Sequence, residues 1–116
     1  MPADRVTLTE VIDGPVSALE RVYAFEQVRD LCRTAPRAVR RARTRLEAPA
    51  DETLYLPAAA EGALMLDGGL IVASAVTAAT MREAIDLLMA RFRHRLHRLE
   101  ETRRDQPIGS FPANAA

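Results

Sequence analysis

Six arginines in two stretches of this chain have the type and spacing to hold a polyanion. Arg91, Arg95 and Arg98 stand at i, i+4 and i+7, so on a helix they share one flank, with Arg93, His94 and His97 on neighbouring flanks. Arg41, Arg43 and Arg45 alternate with Ala42, Thr44 and Leu46, so on a strand the three guanidinium groups share one face. Arg37 and Arg40 stand close by. A guanidinium is a planar fork that bonds phosphate oxygens in pairs, and a row of them on a rigid element suits successive phosphates of a nucleic-acid backbone. Two plainer readings remain open. Cations near a helix C-terminus are favoured by its dipole, and carboxylates from residues 47–86 could pair with the strand arginines across a sheet.

Other reactive side chains point away from catalysis. His94 and His97 are three apart and could share a helix face, but they have no third ligand in sequence to complete a metal site. Cys32 falls on an apolar helical stripe, the setting of an inert thiol. Glu83 and Asp86 near a helix start complement its dipole. There is no glycine-rich phosphate loop, nucleophile elbow or metalloprotease motif. These residues predict a binding protein rather than an enzyme, with no metal and no cofactor.

The elements that position the arginines are written in alternation and period. Val6 to Val11 alternates as a first strand, and Asp13-Gly14-Pro15 is turn chemistry. Ser17 with Glu20 forms a capping-box pattern opening a helix. Its apolar stripe reads as Ala18, Val22, Phe25, Val28 and Cys32, with Leu31 beside it and Glu20, Gln27 and Asp30 opposite. Pro36 ends it near residues 33–35. A second strand covers 38–46, residues 48–51 form a loop, and a third strand covers 59–66. Asp67-Gly68 favours a type I′ hairpin turn leading into a fourth strand at 70–77. From Thr80, an N-cap three residues before Glu83, a long helix carries Met81, Ile85, Leu88, Phe92, Leu96 and Leu99 on one stripe. The order is β-α-β-β-β-α, an α+β two-layer sandwich with a four-stranded sheet, two helices on one face and the other face open.

Bulk properties agree with one domain. The chain has 116 residues, 48% apolar and 28% charged, enough for one core and unlike a disordered tail. Residues 1–104 read as that domain and 105–116, with Pro107, Gly109 and Pro112, as a loose tail. No apolar run approaches the ~20 residues of a membrane span, and the N-terminus has no secretory pattern. A lone cysteine fits the reducing cytoplasm. All sixteen basic residues are arginine, which reads first as codon usage in a GC-rich genome. The net charge is zero but blocky: −3 over 1–32, +6 over 33–46, −6 over 47–86, +4 over 87–104 and −1 thereafter. Local fields therefore matter more than the total.

The run Ile71-Val72-Ala73-Ser74-Ala75, then Thr80 to Leu88 (Thr-Met-Arg-Glu-Ala-Ile-Asp-Leu-Leu), then Phe92-Arg93-His94-Arg95-Leu96, resembles the family of ribosome hibernation promoting factor and ribosome-associated inhibitor A. The first helix, around Tyr23-Ala24 and Val28 to Leu31, is similar as well, and the arginine-only version looks closest to dormancy-associated translation inhibitors. The resemblance spans about residues 5–104 and implies the N-terminal domain of that family, with a topology like double-stranded RNA-binding domains. It further implies a stress-linked translation inhibitor that occupies the messenger and transfer RNA channel of the small ribosomal subunit. The ribosomal RNA contacts it carries over are Arg82, Arg91, Arg95 and Arg98, then Arg93 and His94. Arg41, Arg43 and Arg45 come from alternation alone. Overall neutrality departs from the strongly basic relatives, and the short segment after residue 104 departs from long members that pair ribosomes. The competing expectation is a homodimeric interaction module using the sheet edge of the weakly charged hairpin 63–75.

Overall fold

A computed structural model describes residues 6–50 and 56–105, the last three of them as backbone alone. Of the expected tail at 105–116, residue 105 is still helical and residues 106–116 lie outside the described residues, as does Asp51 of the expected loop. The elements are β1 (Thr7–Asp13), α1 (Ala18–Thr34), β2 (Val39–Glu47), β3 (Ala58–Leu66), β4 (Ile71–Ala78) and α2 (Met81–Asp105). The strands form one mixed sheet in the order β1-β2-β3-β4, with β1 and β2 parallel and the other pairs antiparallel. This is the α+β sandwich expected from the sequence. The parallel pair follows from α1, which carries the chain back across the sheet before β2 begins.

One sheet face is buried beneath the helices. Ala42, Thr44 and Leu46 of β2, Ala60 and Leu64 of β3, and Val72 and Val76 of β4 meet Ile85, Leu88, Phe92 and Leu96 of α2. The predicted α2 stripe is thus the observed one, and each fully buried large apolar side chain contributes about 1.5–3 kcal/mol. Phe92 is the keystone. It lies against Gly62 of β3, where an added Cβ would come within 3.1 Å of the ring and 3.0 Å of the Arg43 carbonyl. The glycine lets helix and sheet approach closely at the centre of the domain.

Both helix starts are capped as expected. The Glu20 amide donates to Ser17 Oγ (3.1 Å) and the Ser17 amide to Glu20 Oε1 (3.0 Å). At α2 the Glu83 amide donates to Thr80 Oγ1 (3.1 Å), whose hydroxyl donates to Glu83 Oε1 (2.9 Å).

One expectation is corrected. The buried face of α1 is Ala24, Val28 and Leu31, while Val22 and Phe25 are exposed and Leu19 is 83% exposed. Glu20, Gln27 and Asp30, expected to face away, are half-buried. The helix is rotated because α2 draws in that side: the Tyr23 hydroxyl donates to Asp86, and Arg93 lies 3.6 Å from Asp30. The hairpin loop runs from Asp67 to Gly69, between the strand limits 66 and 70 read from the sequence. Leu66 and Leu70 close it (2.8 Å), and positive φ falls on Gly68 (95°) and Gly69 (91°).

A bulge interrupts β2. Val39 pairs with Leu66 and Arg41 with Met65, so Arg40 is one residue more than β3 can match. Val39 is therefore buried while Arg40 and Arg41 are both exposed.

Candidate nucleic-acid interface

The open sheet face is set by the pairing register. Four rows cross it from β1 to β4: Thr7, Arg41, Met65, Ile71; Thr9, Arg43, Ala63, Ala73; Val11, Arg45, Glu61, Ala75; and Asp13, Glu47, Ala59, Thr77. Arg41, Arg43 and Arg45 share this face, as the alternation predicts, about 7 Å apart along β2. Arg45 is tied to Asp13 (2.7 Å), which together with Glu47 and Glu61 strengthens its hold on its proton. Arg40 lies 3.2 Å from Asp67 at the hairpin loop. Among the described residues, Arg41 and Arg43 have no carboxylate partner.

The arginines of α2 divide between its two sides. Arg91 lines a groove with Leu87, Ala75 to Thr77 and the carboxylates Glu47 and Glu61, neither within ion-pair distance of it. His94, Arg95 and Arg98 line a second groove beside Leu70 to Val72. These four therefore border β4, the last strand of the sheet. Arg95 donates to the carbonyl of Ala73 on the free edge of that strand. Arg93 turns instead towards Asp30, and Arg82 lies over the Tyr23 ring, 3.9 Å from its centre, so both are held between the helices. His97 pairs with Glu101 at 3.7 Å. Of the nine expected site residues, Arg41, Arg43, Arg82, Arg91, Arg95 and Arg98 carry cations without a carboxylate partner among the described residues, and of these Arg82 alone is stacked on an aromatic ring. Among the described residues, acids of 47–86 form a direct ion pair with Arg40, and Glu47 and Glu61 add their field at Arg45.

Strand alternation contains one component that the arginine pattern alone did not bring out. Ala63, Ala73 and Ala75 form a small-residue floor between Arg43 and the α2 arginines. Cys32 is half-buried in a groove beside Phe25 and Val39, where burial pushes its thiol up to about 11. No group of three or more potential metal ligands is assembled among the described residues. No helix among them is long and apolar enough to cross a membrane.

The molecule belongs by architecture to the β-α-β-β-β-α sandwiches, with an arginine-bearing open sheet face continued by the last helix. No family model and no curated protein matches the chain. Among solved structures it is similar to the Thermus thermophilus Protein Y N-terminal domain, with a TM-score of 0.62 and 21% identity over 80% of this chain and 98% of that one. It is also similar to a ribosomal subunit interface protein from Coxiella burnetii, with a TM-score of 0.61 and 15% identity over 83% and 97%. The likeness to these two structures is one of fold, and it covers 80–83% of this chain.

Proposed function

We propose that this protein is a non-enzymatic, ribosome-associated translation inhibitor of the hibernation type, acting in the cytoplasm by binding ribosomal RNA of the small subunit. The observation that carries this reading is the set of five arginines on the open face and its β4 border, Arg41, Arg43, Arg91, Arg95 and Arg98, that have no carboxylate partner among the described residues. Repulsion among exposed like charges is tolerated best where an anion comes to meet them. The fold shared with ribosome-associated proteins supports the same reading. Residues 1–104 act as the binding domain, and the segment after them is not needed for the contact.

Binding of this kind releases counterions, so about six phosphate contacts weaken it roughly a thousandfold between about 50 and 200 mM salt. The test is co-sedimentation with purified small subunits at low salt. The parent protein pellets with the subunits, and the Arg91→Glu, Arg95→Glu double variant stays in the supernatant with unchanged thermal stability. Equal pelleting of the two proteins overturns the reading. Homodimerisation through the β4 edge is favoured by the exposed Leu70 and Ile71 but opposed by Arg95, which occupies the Ala73 carbonyl. A molecular mass of two chains in light scattering would support it.

A further inference from the structure

We propose that one unpaired RNA strand crosses the open sheet face at right angles to the β-strands, along Thr9, Arg43, Ala63 and Ala73, and leaves over Arg95. This rests on the RNA-binding reading above and specifies the form of RNA and its path. The register places the first four side chains in one row on one face. Arg95 continues the row, because it bonds the carbonyl of Ala73 itself. From β1 to β4 the path spans about 14 Å, three interstrand spacings.

Charge decides the direction. A polyanion lying lengthwise would run from Arg41 and Arg43 into Asp13, Glu47 and Glu61, which occupy the two rows at the far end. Arg45 offers little relief there, since Asp13 already neutralises it. Crosswise, the strand meets Arg43 with Arg41 beside it on β2, then Arg95 flanked by Arg91 and Arg98 beyond β4. Between these cationic banks Ala63 and Ala73 leave a shallow groove, bounded on the side of the acidic rows by Arg45, Glu61 and Ala75.

Width and composition decide the ligand. The band between the Arg41 and Arg43 rows is about 7 Å wide along the strands, room for one sugar-phosphate chain but not for two held a duplex apart. The Thr7 and Thr9 hydroxyls stand beside Arg41 and Arg43 and can add neutral bonds to phosphate oxygens. No aromatic side chain lies in the four rows, so bases have no stacking platform, unlike sheets that read single strands by sequence. The strand is held by its backbone, without sequence preference.

The experiment titrates the full chain against a labelled dodecamer of uridylate and against an RNA duplex of the same length, by fluorescence anisotropy. The parent protein prefers the single strand. Ala63→Glu and Ala73→Glu put a carboxylate on the floor and weaken binding by roughly tenfold or more. Glu61→Arg widens the cationic band, tightens binding, and steepens the salt dependence by about 0.7 in the log–log slope. Misfolding cannot imitate that gain. If the parent binds RNA but the alanine variants leave affinity unchanged, or if the duplex binds better, the crossing path is overturned while the RNA reading stands. A parent that pellets with small subunits yet binds neither oligonucleotide also overturns it. Binding to neither subunits nor RNA overturns both.

Discussion

The two basic segments, β2 with its approach and the α2 rod, use opposite geometries and reach the same result. In β2 the cations are held by register, because the strand is bonded on both sides and its outward residues have no choice of face. In α2 they are held by rotation, because a continuous buried stripe from Met81 to Leu96 fixes which flanks remain outside. In each segment some arginines are tied to the protein and others are left over. Arg40 and Arg45 engage Asp67 and Asp13 at the two ends of the β2 ladder, leaving Arg41 and Arg43. Arg82 and Arg93 engage Tyr23 and Asp30 on the α1 side, leaving Arg91 and Arg98, with Arg95 on the sheet edge. An arginine cluster is therefore not one site. Its members divide by what faces them.

The most damaging change to this pairing of regions is Phe92→Ala, at the point where rod and sheet meet over Gly62. It should cost about 3–5 kcal/mol, read as a large fall in Tm, and it should disable both cationic surfaces together. A sharper test separates the arginines within one strand. Arg41→Gln with Arg43→Gln should weaken binding to single-stranded RNA by roughly tenfold or more, whereas Arg40→Gln with Arg45→Gln should change it far less. Their effects on stability should both stay within about 1 kcal/mol, because exposed ion pairs contribute little. Equal losses of affinity from the two pairs would erase the distinction between tied and free cations.

Smaller effects probe the contacts that set the orientation of the helices. Tyr23→Phe removes the hydroxyl that donates to Asp86 and should cost about 1 kcal/mol, while keeping the ring beneath Arg82. Glu10 tests the first strand. Its side chain lies on the helix-covered face, 17% exposed, with Oε2 unpartnered among the described residues and Arg21 at 3.9 Å. Burial raises its pKa above 4.5, and Arg21 only partly offsets this. A carboxyl whose pKa rises on folding binds its proton more tightly in the native state. The ionised group therefore destabilises the protein at neutral pH, and the penalty fades as pH falls through the raised value towards 4.5. Glu10→Gln should raise Tm at pH 7, with a smaller gain in acid.

Much of this was legible in the sequence because it is local. Strand alternation set the face of Arg41, Arg43 and Arg45, and the 3,4 spacing of Met81 to Leu99 set the face of α2. Both caps were readable from residues three apart. What was not legible depends on contacts between distant residues. Leu19, Val22 and Phe25 give α1 an apolar face that ends up in solvent, because Tyr23–Asp86 and Arg93–Asp30 hold the helix by its other side. The partner of Arg45 could not be foreseen either. Asp13 reads as a turn residue, yet it closes β1 on the row next to Arg45. Nor does an Asp-Gly pair announce that both Gly68 and Gly69 will take positive φ.

The surplus residue in β2 has a consequence for how such a surface can change over generations. Val39 is buried and Arg41, Arg43 and Arg45 are exposed although all four positions are odd, and only Arg40 reconciles them. That residue works as a phase shifter between the core and the arginine ladder. Loss of that single codon would leave Val39 and Arg41 in regular alternation against Leu66 and Met65, with Val39 still inward and the three guanidinium groups still outward. Deletion at 40, like substitution, should therefore keep the arginine face and remove only the bulge and the pair with Asp67.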